Sequence, residues 1–206
     1  IELTPANASK DEATALIETV SNSLSEGAEL IETQVSADHK LIFAIIESEN
    51  TAFAPALIAA IGERASVVGP DEVRLVGAEL DDIKKLKKDA DYLVEWDIPA
   101  EITMEQYLTR KKANAPKYAK VPEVSFLRTY VREDTAKCLC FYDAPDEDAV
   151  VRAREAVSTR AAAAAVSELR GRVVKASITL GPRWRATKGA ETTTLLTTGL
   201  EDLRPY

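Results

Sequence analysis

The residues best suited to chemistry are two cysteines, one histidine and a short acidic group. Cys138 and Cys140 are the only cysteines and are separated by one residue. On a strand this spacing points both thiols to the same face of the sheet, as soft metal ligands or as a redox pair. A disulfide between them is disfavoured because disulfide geometry is specific, so we expect reduced thiols. In the alternative interpretation both are small buried side chains, since free cysteine packs as a small hydrophobe.

A metal site is the second hypothesis that these residues raise. Nickel and other divalent ions take imidazole, thiolate or carboxylate ligands. His39 is the only histidine, and Glu95 and Cys140 are the other candidate ligands, with Asp97 beside Glu95. A carboxylate inside a barrel would also be a candidate acid or base, because burial perturbs its pKa. In the alternative interpretation His39 is a solvated turn residue and Glu95 pairs with Arg128 or another cation across the sheet.

Composition and motifs exclude several classes of protein. The formal net charge of −8 argues against general nucleic-acid binding, which needs a basic face. No apolar run approaches the ~20 residues needed to cross a bilayer, which predicts a soluble protein. We find no phosphate-binding loop, zinc-protease motif, Cys-x-x-Cys pair or nucleophile elbow. We therefore assign no catalytic residue and expect a protein that is not an enzyme.

The elements that must position these residues lie between residues 92 and 180. Residues 92–96 form an apolar strand, and Thr103 is a suitable N-cap for a helix. Residues 125–131 and 138–142 are rich in aromatic and β-branched side chains on either side of a polar turn, which predicts a hairpin. A second helix opens at residues 146–148, and residues 173–178 are a closing strand. The order β-α-β-β-α-β is that of a ferredoxin-like unit.

The first half of the chain is similar to the second. Thr33 and Asp38 align with Thr129 and Asp134 at a constant offset, and residues 72–76 are the predicted closing strand. We therefore expect a tandem duplication in an α+β chain. In chain order, we expect a diverged ferredoxin-like unit at 1–78, a connector at 79–91, a second unit at 92–180 and an extended arm at 181–206. Burying the open face of each sheet favours packing the two sheets together, as an intramolecular pseudo-two-fold α/β barrel.

The two ends of the chain carry further expectations. Residues 181–206 have little periodicity and carry Trp184 between Arg183 and Arg185. Trp and Arg are enriched at interface hot spots, so these three residues are candidates for contact with a protein partner. The alternative is that Trp184 folds back onto its own barrel. Because residue 1 is Ile, we expect a trimmed chain or a processed precursor, in a reducing compartment of an organelle such as a plastid or in the cytoplasm.

Several sequence blocks carry a family resemblance. The blocks are Tyr92-Leu93-Val94-Glu95 with Asp97 and Pro99, Phe126 to Val131 with Asp134, and Lys137 with Cys140-Phe141-Tyr142-Asp143-Ala144-Pro145-Asp146. They resemble a family of small α/β proteins of unknown function that includes a nickel-binding member. The resemblance implies ferredoxin-like units that pair into barrels, and nickel or another divalent metal as a ligand. This chain differs in carrying Trp96 where a basic residue is usual.

Two functional interpretations follow. The preferred one is a non-catalytic scaffolding protein, an accessory subunit that docks onto a larger protein assembly through its C-terminal arm. The alternative is a barrel that binds nickel, another metal ion or a small ligand.

Overall fold

The computed structural model describes residues 1–85, 90–157 and, for the backbone, 173–179. The chain divides into two compact units. Of the described residues, the first contains Ile1–Pro70, residues 81–85 and the last three residues of the described chain, 177–179, and the second contains Asp71–Leu80, residues 90–157 and residues 173–176. No helix among the described residues is long and apolar enough to cross a membrane.

The first unit is an antiparallel four-stranded sheet with two main helices. Its elements in chain order are β1 (Glu2–Pro5), α1 (Lys10–Ser23), β2 (Glu29–Ser36), β3 (Ile42–Glu47), α2 (Ala54–Ile61) and β4 (Ala65–Val68). The strands are arranged β4-β1-β3-β2. This is the β-α-β-β-α-β order predicted from the sequence. A short helix, α3 (Leu80–Ile83), lies in the predicted connector.

The second unit repeats this order and has one additional strand. Its elements are β5 (Val73–Val76), β6 (Tyr92–Asp97), α4 (Met104–Asn114), β7 (Ser125–Arg132), β8 (Lys137–Asp143), α5 (Glu147–Val157) and β9 (Val173–Thr179). A 3-10 segment, Ala115–Lys120, follows α4. The strands are arranged β9-β6-β8-β7-β5. The predicted hairpin is confirmed as β7 and β8, which pair from Ser125↔Asp143 to Val131↔Cys138.

Local sequence signals account for where the long helices begin. Ser9 caps α1, and its hydroxyl accepts from the Glu12 backbone N–H over 3.2 Å. Thr103 and Gln106 form a reciprocal capping box at the start of α4. Each cap satisfies backbone N–H groups that have no partner within the helix. The Thr103 N-cap was predicted from the sequence and is confirmed.

The strand predicted to close the first unit is in the second unit instead. Val73–Val76 pairs with β7, from Val73↔Arg132 to Val76↔Thr129. The first sheet is closed by β4, which pairs with β1. Gly77, just after β5, has φ +92, and a Cβ there would lie 2.9 Å from the Phe126 ring. β5 is therefore fixed to the second sheet by backbone pairing and by this close approach.

The two hairpins share unusual backbone features. Each has a bulge in its first strand, between Leu30 and Glu32 in β2 and between Phe126 and Arg128 in β7. Each turn holds a non-glycine residue at positive φ directly after an aspartate: His39 (φ 57) and Thr135 (φ 61). These features occur at equivalent positions of the two hairpins, as a duplication would produce. The duplication itself stays a prediction.

Each unit has its own hydrophobic core. In each, the core lies between the helices and one face of the sheet. The core of the first unit is aliphatic, with Leu3, Leu16, Ile17, Ile42 and Leu57 almost fully buried. The core of the second unit is different because it contains tyrosines and both cysteines: Tyr92, Tyr107, Tyr142, Cys138 and Cys140. The candidate site lies in this second core.

Candidate functional site

Both cysteines face the helices of the second unit. Cys140 is the register partner of Val94 on β6 and of Thr129 on β7. Cys138 is the partner of Val131 and, because successive strand residues alternate between faces, points the same way as Cys140. The exposed fractions of Cys138 and Cys140 are 0% and 1%. The predicted common orientation of the thiols is confirmed.

Four polar groups converge on the Cys140 sulfur. Thr129 Oγ1 donates to Cys140 Sγ over 3.2 Å, and Cys138 Sγ lies 3.7 Å away. Lys111 Nζ lies 4.0 Å from the same sulfur, and an Arg154 guanidinium nitrogen lies 3.8 Å from it. Lys111 Nζ also donates to Thr129 Oγ1 over 2.7 Å. The Thr129 hydroxyl therefore accepts a hydrogen bond from the Lys111 ammonium and donates one to the Cys140 sulfur.

The two cations are carried by the two helices that cover the sheet. Lys111 lies in the last turn of α4, four residues after the buried Tyr107, and so on the same helical face. A cation near a helix C-terminus is also favoured by the helix dipole. Arg154 lies on α5, next to the buried Ala153. Both cationic side chains are half-buried.

Aromatic rings hold the cations in place. Lys111 Nζ lies 4.4 Å from the centre of the Phe126 ring and 5.7 Å from that of Tyr107. The Arg154 guanidinium lies 5.5 Å from the centre of the Trp96 ring. Such cation–π contacts are favourable and stronger when the cation is removed from water. The rings thereby lower the cost of holding two cations beside a buried sulfur.

The electrostatics favour ionisation of Cys140 over that of Cys138. The hydrogen bond from Cys138, the charges of Lys111 and Arg154 and the Thr129 hydroxyl hold the pKa of Cys140 well below its usual range. The hydrogen bond to Cys140 and burial raise the pKa of Cys138. A proton on Cys138 and a negative charge on Cys140 are therefore the favoured arrangement of the pair. This is the electropositive environment of a reactive cysteine, although the site is deeper than most.

Tyrosine hydroxyls form the remaining polar lining. The hydroxyls of Tyr118 and Tyr142 are 2.9 Å apart. Burial raises the pKa of Tyr118 to about 12 and also raises the pKa of Tyr142. The Tyr107 hydroxyl is hydrogen-bonded with Cys138, and burial raises its pKa as well. The raised pKa values favour the neutral form of all three tyrosines.

The structure does not bring the residues predicted as metal ligands together. Glu95 is the register partner of Leu139, so it lies on the opposite face of the sheet from Cys140. It pairs with Lys137, a cation on the neighbouring strand, at 2.6 Å, as the alternative interpretation expected. His39 lies in the β2–β3 turn of the first unit, where its backbone N–H donates to Ser36. Within the described ranges, no three His, Cys, Asp or Glu residues are grouped as a metal site would require.

Three residues of the cluster were not predicted. Thr129 was noted only as a marker of the repeat, and Lys111 and Arg154 were not identified. A signal existed for Lys111, because it continues the helical spacing of Tyr107 and Leu108 toward the core. Charged residues at core-facing positions of both helices of one unit are the pattern to look for. The predicted partner contacts Arg183, Trp184 and Arg185 lie outside the described residues.

Comparison with known proteins finds one family model that is similar to part of the second unit. Residues 92–166 match the family model described as nickel responsive protein SCO4226-like. That segment includes β6 through α5 and every residue of the Cys140 cluster. No curated protein matches the chain.

A solved structure is also similar to the chain. It is the crystal structure of a putative chlorite dismutase, at 13% identity and a TM-score of 0.48, over 86% of this chain and 90% of that one. A likeness of this degree carries no functional implication.

Proposed function

We propose that the second unit is a thiol-based module in which Cys140 is a buried nucleophile that reacts with small, soft electrophiles. The observation that carries this proposal is the convergence of Thr129, Cys138, Lys111 and Arg154 on one sulfur atom. A cysteine that serves only to fill a core needs apolar neighbours. Here the neighbours are donors, and two of them are cations.

The charge balance of the core supports an ionised sulfur. Lys111 forms no ion pair with a carboxylate among the described residues; its partners are Thr129, the Cys140 sulfur and two rings. A half-buried ammonium is costly without an opposite charge nearby. A thiolate at Cys140 supplies that charge, whereas a neutral thiol does not. The cation and the thiolate therefore stabilise each other.

Alkylation of the folded protein by a small reagent, iodoacetamide, tests this proposal. The modified residue is identified by peptide mapping, and the rate is measured across a pH range. We expect modification at Cys140 before Cys138, with a rate that is already near its plateau at neutral pH. A rate that rises only around pH ~8.5, the value for an ordinary thiol, would refute the proposal.

Metal binding is the second candidate function. The match of residues 92–166 to the nickel responsive family model supports it. The Cys140 cluster does not fit a divalent cation, however, because the positive charges of Lys111 and Arg154 already neutralise the sulfur and would repel a metal ion. We therefore assign none of the described residues as a metal ligand.

Native mass spectrometry with added Ni²⁺ tests the second candidate. The protein is first freed of metal with a chelator and then compared with the His39→Gln, Glu95→Gln and Cys140→Ala variants. Binding of one ion that is lost in any of these variants would restore the ligand set proposed from the sequence. Binding that is unchanged in all three would place the ligands elsewhere, and no binding would reject the metal function.

The scaffolding function and the barrel remain proposals. Docking through the arm depends on residues 181–206, which lie outside the described part of the chain. Deleting residues 181–206 and asking whether a co-purifying assembly is lost tests the docking proposal. The tandem pseudo-barrel is tested by cross-linking the two units, and an absence of cross-links between their sheets would reject it.

A further inference from the structure

We propose that Cys140 is oxidised reversibly by hydrogen peroxide and other small hydroperoxides, with Lys111 and Thr129 as the groups that make the oxidation fast. This inference rests on the proposed function, since it names the electrophile that the sulfur takes. It adds a modification site and a chemical class of oxidant.

The arrangement of donors suits peroxide chemistry. The Cys140 sulfur attacks one peroxide oxygen, an S–O bond forms and the O–O bond breaks. The sulfur loses two electrons and becomes a sulfenic acid, while the second oxygen leaves as hydroxide or alkoxide. Lys111, whose ammonium lies 4.0 Å from the sulfur, gives a proton to that leaving oxygen and regains one from water. Negative charge that develops on the departing oxygen is stabilised by Lys111 and Arg154, which are already in place.

Size determines which oxidants reach the sulfur. Cys140 is 1% exposed, and the side chains of Lys111 and Arg154 beside its sulfur are themselves half-buried. A small uncharged molecule needs only a displacement of one flexible side chain, whereas a bulky hydroperoxide needs the helices to separate. We therefore expect hydrogen peroxide to react faster than a bulky aromatic hydroperoxide.

The sulfenic acid is not expected to condense with Cys138. The two sulfurs are 3.7 Å apart, whereas a disulfide needs ~2.05 Å and a specific dihedral angle. Neighbouring positions on one face of a paired strand cannot approach further without breaking the β6–β8–β7 ladder. Reduction therefore requires an external low-molecular-weight thiol. The first thiol forms a mixed disulfide with Cys140 and releases water, and a second thiol releases Cys140 as the thiolate.

The test uses the full chain, reduced and freed of metal by a chelator, and treated with hydrogen peroxide in the presence of a sulfenic-acid-trapping dione. Intact mass gives the extent of trapping, and peptide mapping gives the residue. Mapping is essential because Met104, the only methionine, also takes up one oxygen. We expect the dione on Cys140, and we expect added small thiol, when no dione is present, to restore the unmodified mass.

Variants separate this inference from a purely structural role. Thr129→Val and Lys111→Met are expected to slow trapping at least about ten-fold. Thr33→Val, at the equivalent position of the first unit, and Lys112→Met, exposed on α4, are expected to leave the rate unchanged. Cys138→Ser is expected to leave the reversal by added thiol intact, because that reversal does not use Cys138. Folding of each variant is verified by circular dichroism before its rate is measured.

The outcomes distinguish the inference from the proposed function. If Cys140 alkylates as a thiolate but is not trapped after peroxide treatment, the hydroperoxide inference is wrong and the thiol function stands. If Cys140 reacts with neither reagent, both are wrong. A Cys138–Cys140 disulfide as the product would overturn the argument from strand geometry.

Discussion

Thr129 and Cys140 are register partners on neighbouring strands, and the Thr129 hydroxyl donates to the Cys140 sulfur over 3.2 Å. The equivalent pair in the first unit is Thr33 and Ala44. The threonine is therefore present in both hairpins, while the sulfur is present in one. This difference makes the first unit an internal reference for the chemistry of the second.

Replacing Thr129 with valine is predicted to destabilise the second unit and to weaken the thiolate. The change removes the hydroxyl that links Lys111 to Cys140 and keeps the side-chain shape. A hydrogen bond to a charged group contributes about 1.5–3 kcal/mol, so we expect a loss of about 2 kcal/mol in the free energy of unfolding at neutral pH. Urea unfolding measures the loss. Thr33→Val is the control, and a Thr129→Val protein as stable and as readily alkylated as wild type would contradict the prediction.

The free energy of unfolding is predicted to rise with pH between the lowered pKa of folded Cys140 and about 8.5, the value for an unfolded cysteine. In this window the folded chain holds Cys140 as a thiolate, whereas the unfolded chain holds an extra proton, so a higher pH favours folding. The contribution is lost as pH falls through the folded pKa. Above pH ~8.5 the sign reverses, because the pKa values of Cys138 and Tyr142 are raised by folding.

Urea unfolding at a series of pH values measures this dependence. Cys140→Ala, which introduces the side chain present at Ala44, is expected to remove the rise below pH ~8.5. A rise of the same size in wild type and Cys140→Ala would show that other groups cause it.

Replacing Lys111 with methionine is predicted to raise the pKa of the Cys140 thiol. Methionine keeps the apolar stem against Phe126 but removes the charge 4.0 Å from the sulfur. At an effective dielectric constant of about 20, a unit charge at that distance is worth up to about 4 kcal/mol, so the shift should be easily measured. The dependence of the alkylation rate on pH gives the value. Lys112→Met, one residue along α4, is the matched control, and equal pKa values in the two variants would count against the role of Lys111.

Loss of the capping box at α4 is predicted to reduce stability without changing the thiolate. Thr103→Ala removes the hydroxyl that accepts from the Gln106 backbone N–H over 3.3 Å. Loss of such a cap costs about 1 kcal/mol. Thermal unfolding measures the cost, with Thr109→Ala, exposed on the same helix, as the control expected to lie within about ±0.5 kcal/mol of wild type. A cost equal to that of Thr109→Ala would show that the cap does not contribute.

Much of the fold could be predicted because its signals are local. The Ser9 and Thr103 caps, the β7–β8 hairpin and the common face of Cys138 and Cys140 each follow from residue types and spacing over a few positions. Strand β5 could not be assigned to its sheet in this way. Its short sequence fits the edge of either sheet, and the choice depends on pairing with β7, far along the chain.

The site was only partly predictable for the same reason. Sequence identified Cys140, but the four donors around it come from two strands and two helices that meet only after folding. Alternation within each strand does not tell whether Glu95 and Cys140 lie on the same face of the sheet. That depends on the register between β6 and β8. That register pairs Cys140 with Val94 and puts Glu95 on the other face.

The ultraviolet absorbance of the thiolate tests most directly whether Cys140 is ionised in the folded chain at neutral pH. The absorbance of the folded wild-type chain is compared with that of Cys140→Ala and of the chain unfolded in urea, at neutral pH. We expect one thiolate per folded wild-type chain, little thiolate in Cys140→Ala and little in the unfolded chain. Equal absorbance in wild type and Cys140→Ala, with thiolate appearing only above pH ~8.5, would contradict it.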